Sequence, residues 1–423
     1  MLFGVKIEVA ILRRFPNLKS SMKIPFAVIS AVPLIMVLGN SMLVPLLPVI
    51  KNSLNVSLFQ VSLFITVFSL PAGLVIPFAG FLSDYYGRKP IMAPALIIYG
   101  LGGILAGLSA WLLASPYYFI LASRILQGIG AGGTYQLAMA LASDIFQSNE
   151  RTKALGLLEA SNGLGKVVSP IAGAALGLIT WFIPFFVYGI LAIPIGIAVW
   201  LLIKEPTKNK QEKMAFKAYV RDLVKIFKSK GLALISSILA GMIVLFILFG
   251  VLSYVSDVLE ANYGIEGIRI GLLIALPVGA MTLTSYLSGS YLQKKIGNIL
   301  KILVVTGLIV ETVALVVMAL FDNIYVFFLA LVAMGIGSGI VLPAVNTLVT
   351  SVSDKERGGI TCIYGSTRFL GVALGPPVFG LTMGLGKLPI FFGAAVLVGV
   401  ITFLTIAFIQ TEKMLPSNLL HGH

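Results

Sequence analysis

Apolar residues fall in long windows separated by short polar breaks, at about residues 26–49, 58–80, 91–113, 117–143, 154–178 and 183–203. After a gap they resume at about 232–256, 268–290, 299–321, 324–349, 359–385 and 388–409. Each window is close to the roughly 20 residues that a helix rising about 1.5 Å per residue needs to cross a hydrocarbon core of about 30 Å. The pattern predicts twelve membrane-crossing helices joined mostly by short loops. Composition agrees: with 58% hydrophobic and 11% charged residues and a mean hydropathy of +1.02, the chain is too apolar for a water-facing globule. The 44 glycines and 20 prolines suit membrane helices, where glycine permits close packing and neighbouring helices satisfy the backbone groups freed by proline.

The gap, 204–230, holds nine Lys or Arg, three acids and Pro206, and reads as a solvated linker with one amphipathic surface helix. The expected organisation is an N-terminal leader (1–25), a first six-helix bundle (26–203), the linker (204–230), a second six-helix bundle (231–410) and a tail (411–423). The leader lacks an apolar stretch followed by a small-residue cleavage site, so it is expected to be retained.

The net charge of +14 would fit nucleic acid, but its placement points to the bilayer instead. The termini and the 2–3, 4–5, 6–7, 8–9 and 10–11 loops carry 24 of the 30 basic residues, whereas Lys51, Arg269 and Lys387 lie on the opposite side. The positive-inside rule then puts both termini in the cytoplasm of a multi-pass cell-membrane protein. The remaining basic residues, Arg124, Lys166 and Arg368, lie within windows. The single cysteine, Cys362, excludes an intrachain disulfide, and the two histidines, His421 and His423, sit together in the tail. No metal site, cofactor or catalytic set is expected, which argues against an enzyme.

The two halves repeat each other. A shift of 206 pairs Glu150-Arg151 with Glu356-Arg357, Gly165 with Gly371 and Pro170 with Pro376. A shift of 207 pairs Gly128, Gly130 and Gly132 with Gly335, Gly337 and Gly339. Six spans per unit leave both units in the same orientation, the parallel arrangement whose interface holds a substrate site near the midplane.

Between windows two and three stands GFLSDYYGRKP, with Gly80, Leu82, Asp84, Gly87, Arg88 and Lys89. It resembles the signature loop of the major facilitator superfamily, G-x-L-x-D-x-x-G-R-K, at every position. Its glycines permit a tight turn, and its charges can break and remake contacts as bundles rock, so the loop is expected to act as a gating latch. Window four holds SRILQGIGAGG, similar to the superfamily's intramembrane arginine and glycine ladder. Window five holds GLGKVVSPIAG, similar to the antiporter motif G-x-x-x-G-P-x-x-G-G of its drug exporters, with Ser169 and Ala174 replacing two glycines. There Gly165 and Pro170 would form a hinge, repeated in window eleven by Gly371 and Pro376. LGNSMLVPLLP in window one resembles the first-span motif of the twelve-span drug/proton antiporters. The resemblance implies an all-α membrane protein of the major facilitator fold, with twelve transmembrane helices in two six-helix bundles related by a parallel internal repeat. It implies proton-coupled efflux of small amphiphilic compounds by alternating access, the proton gradient supplying the energy. Many such antiporters carry an acid on the first span; Asn40 stands in that region here.

Charged residues inside spans cost about 2.5–3.5 kcal/mol each on insertion scales and mark functional sites. Glu159, Asn162 and Lys166 recur at i, i+3 and i+7 and so share one face of window five. Arg368 aligns with Asn162 in the repeat. The cavity is therefore expected to draw on Asn40, Arg124, Asn162, Lys166, Arg368 and Tyr364, with Glu159, Glu311 and Arg124 as candidates for proton coupling. Asp144 and Asp257 are expected to cap helices or close gates. Met36, Phe64, Phe68, Tyr135, Phe246, Tyr254 and Met281 could add an adaptable apolar wall. Three basic residues against two acids make a cationic interior, which favours an anionic or zwitterionic amphiphile such as a siderophore over a lipophilic cation. Export of one such metabolite, or uptake by symport, is the alternative to multidrug efflux, and a monomer is expected to suffice.

Overall fold

The computed structural model describes residues 20–146, 148–205, 216–292, 298–353 and 357–414. Most of the leader, the centre of the linker and the end of the tail with His421 and His423 lie outside the described residues, as does Glu356 of the internal repeat. Span 1 comprises Ser20–Ser41, a 3-10 turn at Val44–Leu46 and Leu47–Leu54. Spans 2 and 3 are Leu58–Tyr86 and Arg88–Leu112, span 4 is Tyr117–Gly132 followed by Tyr135–Ile145, and spans 5 and 6 are Ser148–Gly177 and Ile183–Leu202. In the second half, spans 7 to 10 are Phe216–Tyr263, Ile268–Leu292, Ile299–Leu320 and Ile324–Thr350. Span 11 is Arg357–Thr382 and span 12 is Lys387–Phe408.

Ten helices among the described residues are long and apolar enough to cross a membrane, and they account for every window except the fourth and fifth. The two exceptions have a physical cause. Span 4 is broken into two shorter helices, and span 5 carries Glu150, Arg151, Lys153, Glu159 and Lys166. The spans that depart most from membrane composition are those that carry the intramembrane charges of the first half.

With no water in the hydrocarbon, each helix must satisfy its polar groups internally. Side-chain hydroxyls therefore fold back onto their own helices, Ser62 onto the Leu58 carbonyl at 2.7 Å and Thr402 onto Val398 at 2.8 Å. Helix ends are capped where sequence allows. Ser57 and Gln60 form a reciprocal capping box at the start of span 2, and Asn323 accepts from the Tyr325 and Val326 amides at the start of span 10. Spans 2 and 3 are separated by Gly87 alone, whose φ of 107° disfavours a side chain.

The packing has the symmetry of the sequence repeat. Span 1 lies on 5 and 6, span 2 on 4, and span 3 on 4 and 6. Adding six to each number gives span 7 on 11 and 12, span 8 on 10, and span 9 on 10 and 12, and all of these contacts are made. Between the halves span 2 packs on span 11 and span 8 on span 5, a pair that the same operation exchanges. Outward faces are apolar and exposed, as at Leu74, Trp111, Tyr118, Tyr325 and Phe403. Such surfaces are expected where the solvent is lipid and aromatic rings collect near the span ends.

Candidate functional site

Lipid gives helices little hydrophobic reason to associate, so close backbone approach has to hold them together. The glycine ladder of span 4 provides that approach. A Cβ added at Gly128 would strike the Phe68 carbonyl of span 2, one at Gly130 would strike the Tyr99 backbone of span 3, and one at Gly132 would lie 2.8 Å from the Val75 side chain. The helix is then interrupted at Thr134, with φ −118° and ψ −80°, whose hydroxyl donates to the Ala131 carbonyl at 2.7 Å. This break resets the helical register, and the next residues, Tyr135 and Gln136, line a central cavity.

Arg124, in the part of span 4 that precedes this break, is fully buried and does not line the cavity. Its Nε donates to the Phe64 carbonyl at 3.0 Å. Its Nη1 donates to the Gly39 carbonyl at 2.8 Å and to Gln127 Oε1 at 2.6 Å, and its Nη2 donates to Asn40 Oδ1 at 2.7 Å. The guanidinium lies 4.4 Å from the centre of the Phe68 ring. No carboxylate is bonded to it; carbonyl dipoles from spans 1 and 2 and one aromatic face replace its water. Asn40 in turn donates to Ser69 Oγ at 2.7 Å, so the knot ties spans 1, 2 and 4.

The cavity together with the open solvent at its mouth takes up about 920 Å³. Spans 1, 2, 4 and 5 of the first half and spans 7, 8 and 11 of the second form its wall. Much of the wall is apolar, including Met36, Phe68, Phe249, Met281 and Phe369. Against this background stand Asn162 and Lys166 on span 5 and Arg368 on span 11. Lys166 makes no hydrogen bond or ion pair with any described residue. The Arg368 guanidinium lies 5.6 Å from the Tyr364 ring centre, and its buried Nε has no hydrogen-bond partner. Glu159 is exposed and accepts a hydrogen bond from the Tyr135 hydroxyl at 2.5 Å. Two cations from opposite bundles thus face one apolar chamber with their hydrogen-bonding capacity unspent.

The chain's relationships agree with this architecture. The family model for the Major Facilitator Superfamily matches residues 29–376 and 258–420. The chain belongs to the Major Facilitator Superfamily. Among curated relatives in the superfamily, the chain is 39% identical over 388 residues to the Bacillibactin exporter of Bacillus subtilis, covering 91% of this chain and 96% of that one. It is 28% identical over 360 residues to the multidrug efflux protein YfmO of the same organism, covering 81% of this chain and 82% of that one. Over 393 residues it is 25% identical to the class B tetracycline resistance protein of Escherichia coli, with 89% and 93% coverage. A bacterial homologue of the human lysosomal transporter Spinster, solved inward-facing and unoccupied, superposes with a TM-score of 0.74 over 95% of this chain and 100% of its own at 16% identity. At this identity the structure attests the major facilitator fold alone.

The two halves also meet on either side of the cavity. On the side away from the chain termini, Lys51 pairs with Asp257, and Asn52 donates to Glu260 at 2.8 Å, joining span 1 to span 7. On the other side the signature loop makes its ionic contacts within the first half. Arg88 bonds Asp84 at 2.5 Å and Ser83 Oγ at 2.5 Å and reaches Asp144 at 3.4 Å. The Arg88 and Lys89 amides donate to the Glu205 carboxylate at 2.6 and 3.2 Å, so the end of span 6 caps span 3. Around Gly80 the two halves meet through small or aromatic groups: a Cβ there would lie 2.5 Å from Cys362 Sγ, and the rings of Phe81 and Tyr219 are 5.4 Å apart. Asp257 joins the halves, whereas Asp144 pairs with the loop.

The expected site residues separate into two groups. Asn40, Asn162, Lys166 and Arg368 line the cavity, and Glu159 reaches it through Tyr135. Arg124 and Tyr364 do not line it; Arg124 is screened by Asn40 and Phe68, and Tyr364 is buried with an unpartnered hydroxyl. Glu311 lies away from it on span 9, fully buried, with Ser338 donating at 3.5 Å and Oε2 unpartnered. Of the aromatic and methionine candidates, Met36, Phe68, Tyr135 and Met281 line the cavity, and Phe64, Phe246 and Tyr254 do not. Gln136, Ser41 and Phe249 were missed, because the sequence gives the period of a helix but not which neighbour it turns toward. Around the proposed hinges, Gly165 packs on Leu34 of span 1 and Gly371 against the Met242 carbonyl of span 7, again as symmetry equivalents.

Proposed function

We propose that the protein is a secondary active exporter of small amphiphiles carrying negative charge, siderophore-like chelators included, working by alternating access as a monomer. One observation carries this reading: Lys166 and Arg368, contributed by opposite bundles, face the cavity without a hydrogen-bonded or ion-paired partner among the described residues. A partly buried cation with no ion-paired carboxylate is costly, and an anionic group placed between the two would relieve both at once. The surrounding apolar wall suits the rest of an amphiphile. Relatives named for bacillibactin export and for multidrug efflux support export and an amphiphilic cargo. The family favours transport over catalysis.

With the basic loops and termini in the cytoplasm, the Lys51–Asp257 side faces outward. In this reading the Lys51–Asp257 contact serves as the external gate. Glu159, joined to Tyr135 and acting electrostatically on Lys166, is the group proposed to exchange the coupling proton. The signature loop around Asp84 and the seams at Pro170 and Pro376 would move as the bundles rock. Energised inverted membrane vesicles test the reading. Anionic amphiphiles should accumulate inside them, and Glu159→Gln should abolish the dependence of that accumulation on the pH gradient. Accumulation in right-side-out vesicles instead would establish uptake and overturn export.

A further inference from the structure

The first part of span 7, Phe216 to Lys230, is helical but separated from the rest of the span by Gly231, whose φ of 47° and ψ of −128° interrupt the helix. One face is held against the body of the protein. Leu223 is buried, and Tyr219 lies between span 2, where it meets the Phe81 ring, and span 11, where a Cβ on Gly359 would fall 2.8 Å from its hydroxyl. The other face carries Arg221 and Lys225, with side chains 66% and 70% exposed, both sharing Asp222 at 3.6 and 3.7 Å. Lys228 is also exposed and makes no hydrogen bond or ion pair with any described residue.

Beside this helix runs an apolar groove. Its walls are Pro77 and Phe78 of span 2, Val220, Val224 and Phe227 of the surface helix, and Ile363 of span 11, with Lys228 at its rim. The groove opens onto the outer face of span 2, where Leu70, Leu74, Phe78 and Leu82 recur every four residues and are all exposed. That spacing forms one continuous apolar stripe along the helix, long enough to lie beside an acyl chain. An apolar trough leading from the hydrocarbon and ending at unneutralised lysine fits one kind of occupant by charge and by solvent preference. We infer that this groove binds an anionic phospholipid, its acyl chain along the span 2 stripe and its headgroup at Lys228 and Lys225. Because the walls come from both halves and from the helix between them, a bound lipid straddles a seam between the halves and couples membrane charge to the transport cycle. The inference is independent of the substrate reading.

Photolabelling of the full chain in nanodiscs tests it. The probes are phosphatidylglycerol and phosphatidylcholine, each carrying a diazirine in one acyl chain and each present in trace amount. Phosphatidylglycerol should label the 219–228 segment and the neighbourhood of Phe78 more heavily than phosphatidylcholine does. Each lysine lost in Lys225→Gln and Lys228→Gln should lower that preference about fivefold, and Lys228→Arg should retain it. Equal labelling by the two lipids, or labelling unmoved by the glutamine variants, would mean a generic lipid annulus and overturn the proposal. Cross-linking to a second copy of the chain at this groove would overturn it equally.

Discussion

Arg124 and Lys166 are both cations inside the membrane, and the structure gives them opposite circumstances. Arg124 has its donors satisfied by fixed carbonyl and amide oxygens, which makes it a tie between helices rather than a contact for cargo. Truncating it would leave those acceptors buried and empty, at a cost of about 1–3 kcal/mol for each. Arg124→Ala is therefore expected to lower the melting temperature sharply, as read by fluorescence-detected size exclusion, and any folded fraction should keep wild-type substrate preference. A stable variant with altered preference would place Arg124 in the binding machinery. Lys166 and Arg368 carry the opposite expectation, equal or raised stability with weakened anion binding. The sequence revealed that all three cations lie within spans, and the i, i+3, i+7 spacing put Asn162 and Lys166 together. It could not reveal which cation was already solvated, because the carbonyls around Arg124 come from residues 60 and 85 positions away.

At the scale of the helix, the spans were legible because the bilayer allows few solutions for an apolar window of about 20 residues. The repeat was legible because glycines that hold helices together recur in order. The break in span 4 was not legible: Gly133-Thr134 follows a ladder of glycines that are helical, and only packing against spans 2 and 3 distinguishes the interruption from the ladder. Its consequence, the turning of Tyr135 and Gln136 into the cavity, was out of reach for the same reason. Glycines with and without neighbours give a direct comparison. Gly128→Ala drives a methyl group into the Phe68 carbonyl and is expected to destabilise by about 1–3 kcal/mol, whereas Gly156→Ala, with nothing within 4 Å, should be neutral or slightly stabilising. Thermal denaturation in one detergent decides between these outcomes.

For the whole molecule, two chemically different seams join the halves on either side of one chamber. The seam away from the termini is ionic, Lys51 with Asp257 and Asn52 with Glu260, and the seam near Gly80 is made of small and aromatic groups. Losing the ionic pair should favour opening on its own side. In Asp257→Asn, the distance between spin labels placed on the outer ends of spans 1 and 7 should broaden toward longer values, and an unchanged distribution would mean that the pair is incidental. The central claim, however, is that two unpaired cations in the chamber select the charge of the cargo. It is tested most directly by competing an anionic catecholate chelator with a lipophilic cation for transport into energised inverted vesicles. Wild type should prefer the anion, and Lys166→Gln and Arg368→Gln should each reduce anion transport at least thirtyfold, equivalent to about 2 kcal/mol for an unpaired partner, without reducing transport of the cation. Preference for the cation in wild type, or anion transport that survives both substitutions, would contradict the account.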